Sequence, residues 1–151
     1  METKKILFLM QCISNAYTYR CAELLEKYQL IGPSFHIMMF LGNHPDLQTA
    51  KDISELLNLK ANVISVHVNR LVDRGYLTRE TVPGDRRKVR LCLTEKALPI
   101  IESGNRMEKQ FCAELKNGLG EDDLKRLDEI LSVVWNNASK ILTKGTCVEE
   151  C

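Results

Sequence analysis

The sequence predicts a mainly α-helical protein carrying one small β-hairpin, an α+β chain. Three observations predict it. Apolar residues recur at three- and four-residue intervals through most of the chain, the period of amphipathic helices. Two short strand-like runs stand on either side of Pro83-Gly84-Asp85. The tip between them gathers Arg86, Arg87 and Lys88, like charges that repel one another and so suit a polyanion better than a fold. At 151 residues the chain is one domain, or one protomer of a dimer.

Each element has its own signal. Ile6, Met10, Ile13, Tyr17, Leu24 and Tyr28 mark an apolar stripe on a long first helix. Gly32-Pro33-Ser34 opens a second helix, with proline in its first turn. Phe35, Ile37, Met38, Met39, Phe40 and Leu41 make that helix apolar nearly all round, which places it at the buried centre. Gly42-Asn43-His44-Pro45 stops it. Thr49-Ala50-Lys51-Asp52 is a capping box ahead of Ile53, Leu56 and Leu57. Asn58 permits the left-handed conformation of a tight turn into a fourth helix. Ile64, Val68 and Leu71 form that helix's inner face, and Gly75 ends it. After the hairpin, a fifth helix carries Leu98, Ile101, Phe111 and Leu115, and Gly118-Leu119-Gly120 breaks it. The last helix begins near Glu121 and repeats Leu124, Leu127, Leu131, Val134, Ala138 and Ile141.

Composition narrows the function. Aromatics are only 6% of residues, so the core should be aliphatic. No apolar run approaches the roughly 18 residues of a bilayer span, and no signal peptide is visible, so a cytoplasmic protein with no membrane partner is expected. Cys12, Cys21, Cys92 and Cys112 lie in apparent helices or strands, and Cys147 and Cys151 in a polar tail. Without a CxxC pair, reduced thiols are expected, with no metal site and no cofactor. No phosphate loop, carboxylate pair or Ser-His-Asp arrangement stands out, so the chain does not read as an enzyme. Net charge is +1, but Lys60 to Arg90 holds eight basic residues against three acidic ones. That zone carries +5 and the rest of the chain −4, an electrostatic footprint for nucleic acid.

A helix followed by a basic hairpin is the outline of a winged helix-turn-helix. Residues 32–93 form that core, 1–31 and 94–142 the flanking dimerisation helices, and 143–151 a flexible tail within a single protomer of 1–151. The terminal stripes are most simply buried against a second copy, or else pack on their own domain.

Nearly the whole chain, from the first helix to the last, resembles the MarR family of bacterial winged-helix regulators. The resemblance rests on Leu57-Asn58-Leu59, Val68-Asn69-Arg70-Leu71 and Arg74-Gly75-Tyr76-Leu77-Thr78-Arg79. Its most specific part is Asp85-Arg86-Arg87 followed by Val89-Arg90-Leu91-Cys92-Leu93-Thr94-Glu95-Lys96. The resemblance implies a triangular homodimer with interlocked terminal helices and two winged domains. It also implies double-stranded DNA as partner, a palindromic operator, repression, and release by a small effector or by oxidation.

The fourth helix is the candidate reading helix. With its inner face spoken for, Asn62, Ser65, Val66, Asn69 and Arg70 point outward. Asparagine can pair bidentately with adenine, and serine can meet several bases. Val63 and Val66 could pack on thymine methyls or be ordinary surface valines. Asn62 and Ser65 could instead cap the helix start. Lys60 stands where the family usually has serine, losing an N-cap and gaining a phosphate contact. His67 stands where the family has a small apolar residue, and reads as a histidine wedged beside the core. In the wing, the resemblance assigns Asp85 to hold the Arg87 guanidinium for the minor groove, with Arg86 and Lys88 on phosphate. Arg74, near the end of the fourth helix, could also meet backbone phosphate.

The sensory input is open. Cys12, Phe35, His36, Met39 and Phe111 could line an effector crevice, and each also reads as plain core. Cys12 with Tyr17 and Tyr19 resembles the peroxide-sensing branch, which makes a thiol redox sensor the alternative; a buried inert thiol is the other reading of Cys12. His36 matches a ligand of the zinc-responsive branch, but Glu102-Ser103-Gly104-Asn105-Arg106-Met107-Glu108 lacks the histidines that complete that site. A winged-helix protein-interaction module is a further rival.

Overall fold

A computed structural model describes residues 3–145, the side chains of Thr3, Arg86, Arg87 and residues 143–145 excepted. Cys147 and Cys151 lie outside the described residues. Along the chain run α1 (Thr3–Tyr28), α2 (Gly32–Asn43), α3 (Ala50–Leu57), α4 (Ala61–Asp73), β1 (Leu77–Val82), β2 (Asp85–Leu93), a single 3-10 turn (Glu95–Ala97), α5 (Leu98–Leu115) and α6 (Glu121–Gly145). Helices with one antiparallel hairpin are the mainly α winged-helix architecture that the sequence predicts.

Local chemistry sets the boundaries. Gln29 takes a left-handed backbone with φ 50, which ends α1. Pro33 sits in the first turn of α2, where its missing N–H is no loss. At α3, the Thr49 hydroxyl accepts from the Asp52 amide at 3.2 Å, and Asp52 accepts from the Thr49 amide at 2.8 Å. Both partners of the capping box are thus engaged. Asn58 closes α3 with φ 49 and ψ 43, in the left-handed region. These two features fix the helix–turn–helix from α3 into α4.

The chain divides into two compact units, Met1–Phe111 and Cys112–Cys151. In the first unit, α2 is the centre: Phe35, Ile37 and Met38 are fully buried, and Met39, Phe40 and Leu41 nearly so. Ile53, Ile64, Leu71, Leu77 and Ile100 close around it. Each such side chain contributes about 1.5–3 kcal/mol by leaving water. Gly104 of α5 admits α2 closely, since a Cβ there would stand 2.3 Å from the Met39 sulfur. The hairpin pairs Leu77 with Leu93 and Thr81 with Val89, and its register shifts beyond Thr81. The Leu91 amide donates to the Gln48 carbonyl at 2.8 Å, tying the wing's base to the segment before α3.

The expected stripe on α1 divides in two. Leu24 is buried and Tyr17 half-buried, whereas Ile6, Met10 and Ile13 are exposed. Phe8 is 80% exposed. In the second unit, Leu131, Val134 and Ile141 of the α6 stripe are also exposed, and Trp135 is 70% so. Among the described residues, no helix is long and apolar enough to cross a membrane.

Candidate nucleic-acid interface

The two faces of α4 differ in kind. Ile64, His67, Val68 and Leu71 are buried against the first unit's core. Asn62, Ser65, Val66, Asn69 and Arg70 are exposed, Val63 is half-buried, and Lys60 is exposed at the N-cap. Every outward residue expected from spacing therefore lies outward, and Val63 belongs to the edge of the core. Lys60 makes no side-chain cap, so the first turn of α4 lacks the usual oxygen. Asn62 supplies one from inside the helix, its Oδ1 accepting from the Val63 amide at 2.9 Å. Asn69 also has a partner: Arg79 of β1 donates to its Oδ1. Sequence reasoning counted Arg79 as charge and as part of the Arg74–Arg79 motif but gave it no contact, and its strand position was the signal for its place beside α4.

At the wing, Lys88 is exposed and Asp85 opens β2. The side chains of Arg86 and Arg87 lie outside the described residues, so the expected Asp85–Arg87 pairing does too. The charge of Lys88 reaches Asp52 at the N-terminus of α3. Bonds from Thr49 hold the Asp52 carboxyl below the usual carboxylate range, with Lys88 and Lys51 adding to the effect.

The Leu93-Thr94-Glu95-Lys96 segment has a mechanical role. The Thr94 hydroxyl donates to the Gly75 carbonyl at 2.7 Å, and its amide donates to the Tyr76 carbonyl at 3.0 Å. Lys96 donates to the Arg74 carbonyl at 2.7 Å. Arg74 and Lys96 both lie over the Tyr76 ring, at 5.1 and 4.8 Å. The end of the wing is thereby locked to the end of α4.

Arg74 departs from its expected place on phosphate. Its guanidinium donates to the carbonyls of Tyr28 at 2.8 Å and Gln29 at 2.5 Å. These belong to the end of α1, where carbonyls lack helical partners and the helix dipole favours a cation. The arginine thus caps α1 and is drawn inward, half-buried, by that task.

The effector candidates also separate. Phe35 and Met39 are core side chains, at 0% and 5% exposure. His36 stacks on Tyr17 at 5.9 Å, and Phe111 meets the same ring edge-on at 5.6 Å. Cys12 is exposed, contrary to the buried-thiol expectation, and stands five residues from Tyr17, about 140° around α1. The centre of this cluster is Tyr17, which sequence reasoning placed in the α1 stripe and beside Cys12 but not against Glu108. Its hydroxyl donates to Glu108 at 2.6 Å. Burial and the Glu108 carboxylate push its pKa far above the ordinary phenol range. Burial likewise pushes the Cys21 thiol up, which keeps it protonated. An open groove of about 640 Å³ runs between α1 and α5, lined by Tyr19, Arg20, Lys27, Arg106 and Met107 among others. Of the five candidates only Phe111 borders it.

His67 is buried on α4, its Nδ1 3.0 Å from the Ser34 hydroxyl of α2. Burial and then the Arg70 charge lower its pKa. Among the described residues every buried side-chain nitrogen and oxygen has a partner.

A family model described as the MarR family matches residues 28–88, the end of α1 through the wing tip. Solved structures extend the likeness over the rest. A MarR transcriptional regulator from Methanosarcina mazei Go1 is 19% identical, with 93% of this chain and 94% of that one covered at a TM-score of 0.79. A MarR protein from Peptoclostridium difficile is 16% identical, covering 95% and 94% at 0.82. MepR from S. aureus in its complex with DNA is 19% identical, covering 87% and 98% at 0.59.

Proposed function

We propose that the chain is a MarR-like winged-helix transcriptional regulator, a homodimeric repressor of a palindromic operator, a reading supported by the family model over residues 28–88 and by the shared fold. The observation that carries the DNA contact is the exposed polar face of α4, continued by the basic hairpin that Thr94 and Lys96 lock to it. Ser65, Val66, Asn69 and Arg70 face the bases of a major groove, and Lys60, Arg86 and Lys88 neutralise phosphate. Arg87, held by Asp85, enters the minor groove. The uncovered apolar surfaces of α1 and α6 supply the dimer contact. The groove between α1 and α5 offers room for a small effector, with aromatic rings and the Arg20, Lys27 and Arg106 cations suited to an apolar acid. Release by thiol oxidation is the second reading, and the exposure of Cys12 favours it.

Selection of duplexes from a random library, in reductant and moderate salt, tests the proposal. A repeated, two-fold symmetric sequence with half-sites about one helical turn apart is the expected result. Recovery of unrelated sequences would remove the specific-reader role. On the selected duplex, log K should fall with log salt by about 0.9 per phosphate neutralised, and Lys60→Ala or Lys88→Ala should each reduce that slope by about one.

A further inference from the structure

α1 runs unbroken from Thr3 to Tyr28, 26 residues and about 39 Å at 1.5 Å per residue. A helix of that length carries a tilt at one end through to the other. Its first half presents the exposed apolar residues Ile6 to Met10. Its last turn is joined to the end of α4 by Arg74, whose guanidinium donates to the Tyr28 carbonyl at 2.8 Å and the Gln29 carbonyl at 2.5 Å. Leu24 and Leu30 are buried at the same end of α1, but apolar contact has no preferred direction. A planar fork donating to two successive carbonyls does, and it fixes the angle between the helices as well as their distance. The wing is held to α4 by other bonds. Lys96 donates to the main-chain carbonyl of Arg74, and Thr94 to that of Gly75, acceptors that survive any change of the Arg74 side chain.

We propose that Arg74 is a specificity-determining positioning residue that sets the spacing of the two half-sites this protein accepts. The proposal rests on the DNA-reading role of α4 and on a dimer contact through the first half of α1. In such a dimer, α1 leads from the contact between copies to the end of α4. The joint at Arg74 then decides how far apart, and at what rotation, the two copies of α4 stand. Half-sites one base pair closer or further apart differ by about 3.4 Å along the duplex and about 35° around it. A firm joint rejects that change, because the DNA has to deform to meet the protein. A joint held by apolar contact alone yields instead. Arg74 therefore governs spacing and leaves base choice within a half-site to α4 and the hairpin, whose mutual bonds do not involve its guanidinium.

Binding to the selected duplex is compared with binding to two others, one with a base pair inserted between the half-sites and one with a base pair removed. The wild-type protein should lose roughly tenfold or more in affinity on each altered spacing, the scale of DNA deformation. Arg74→Met keeps the stem and removes the donors. It should lose only about threefold on the altered spacings, and its preferences among single-base variants within a half-site should match the wild type's. Arg74→Lys carries the same test with less disturbance of the fold: one ammonium does not reproduce the fixed fork, so its discrimination should be intermediate. A wild-type spacing profile in either variant would overturn the inference. So would equal weakening on all three duplexes, which is the result of a purely structural role, or a wild-type protein indifferent to spacing. Absence of any enriched, two-fold symmetric duplex for the wild-type protein would instead overturn the dimeric reading role beneath it.

Discussion

The winged core and the terminal helices use apolar residues in opposite ways. Around α2, every large apolar side chain from Phe35 to Leu41 is covered, and Ile64 and Leu71 of α4 close on it. In the first half of α1 and along α6, residues as apolar as Phe8, Met10, Leu131 and Trp135 stand in water. The core stripe satisfies itself within one chain, and the terminal stripes do not. Stability and assembly are therefore written in the same residue types, separated only by what lies opposite them.

The largest effect should come from the covered side. Ile64→Ala removes a side chain that is 1% exposed at the contact of α4 with the core. Urea denaturation should show a loss of about 2–5 kcal/mol, since cavity and transfer terms add. The matching change on the uncovered side is Leu131→Asp with Val134→Asp, both more than half exposed. It should halve the mass seen by sedimentation equilibrium while the hairpin and α2–α4 keep their amide protection from exchange. An unchanged mass would place the dimer contact elsewhere; lost protection in the core would erase the distinction between the two regions.

Arg74 sharpens the comparison on the polar side. Its charge resembles that of Lys60 or Arg70, yet its partners are the Tyr28 and Gln29 carbonyls. Arg74→Met should lower stability by about 1 kcal/mol, the scale of a partly screened charged hydrogen bond, and leave the salt slope of DNA binding unchanged. A reduced slope would return Arg74 to the phosphate contacts.

Legibility in the sequence follows the range of the interaction. The Thr49–Asp52 capping box and the left-handed Asn58 were readable because both depend on neighbours three or fewer residues away. The burial of α2 was readable because it is apolar on every side. Arg74, 45 residues from Gln29, was not, because a guanidinium near a helix end fits phosphate or a carbonyl equally well in sequence. The same holds for Asn69 with Arg79, and for Tyr17 with Glu108, 91 residues apart. Cys12 misled for a related reason: a thiol among apolar residues reads as core, but Cys12 and its apolar neighbours in the first half of α1 are exposed among the described residues.

His67 yields the smallest expected effect and tests the inner face of α4 directly. Burial and the Arg70 charge favour its neutral ring in the folded state, so its folded pKa lies below the ordinary 6.5. At pH well above 6.5 the ring is neutral both folded and unfolded, and stability does not change with pH through this group. As pH falls through that value, the unfolded chain takes up a proton that the folded ring resists. Stability must then fall, because the unfolded state binds more protons. His36 contributes in the same direction, its pKa lowered by burial and raised in part by Glu108. The Asp52 carboxyl acts only at more acid pH, because its pKa lies below 3.8. Urea midpoints at about pH 7.5 and about pH 5.5 isolate the imidazoles from the carboxylates. The wild-type midpoint should fall between them, and the fall should shrink in His67→Gln, whose amide can still meet the Ser34 hydroxyl. An equal fall in the variant would assign the effect to His36 and show that the Ser34–His67 contact admits a proton without loss, as a solvent-facing histidine on the outer surface of α4 would.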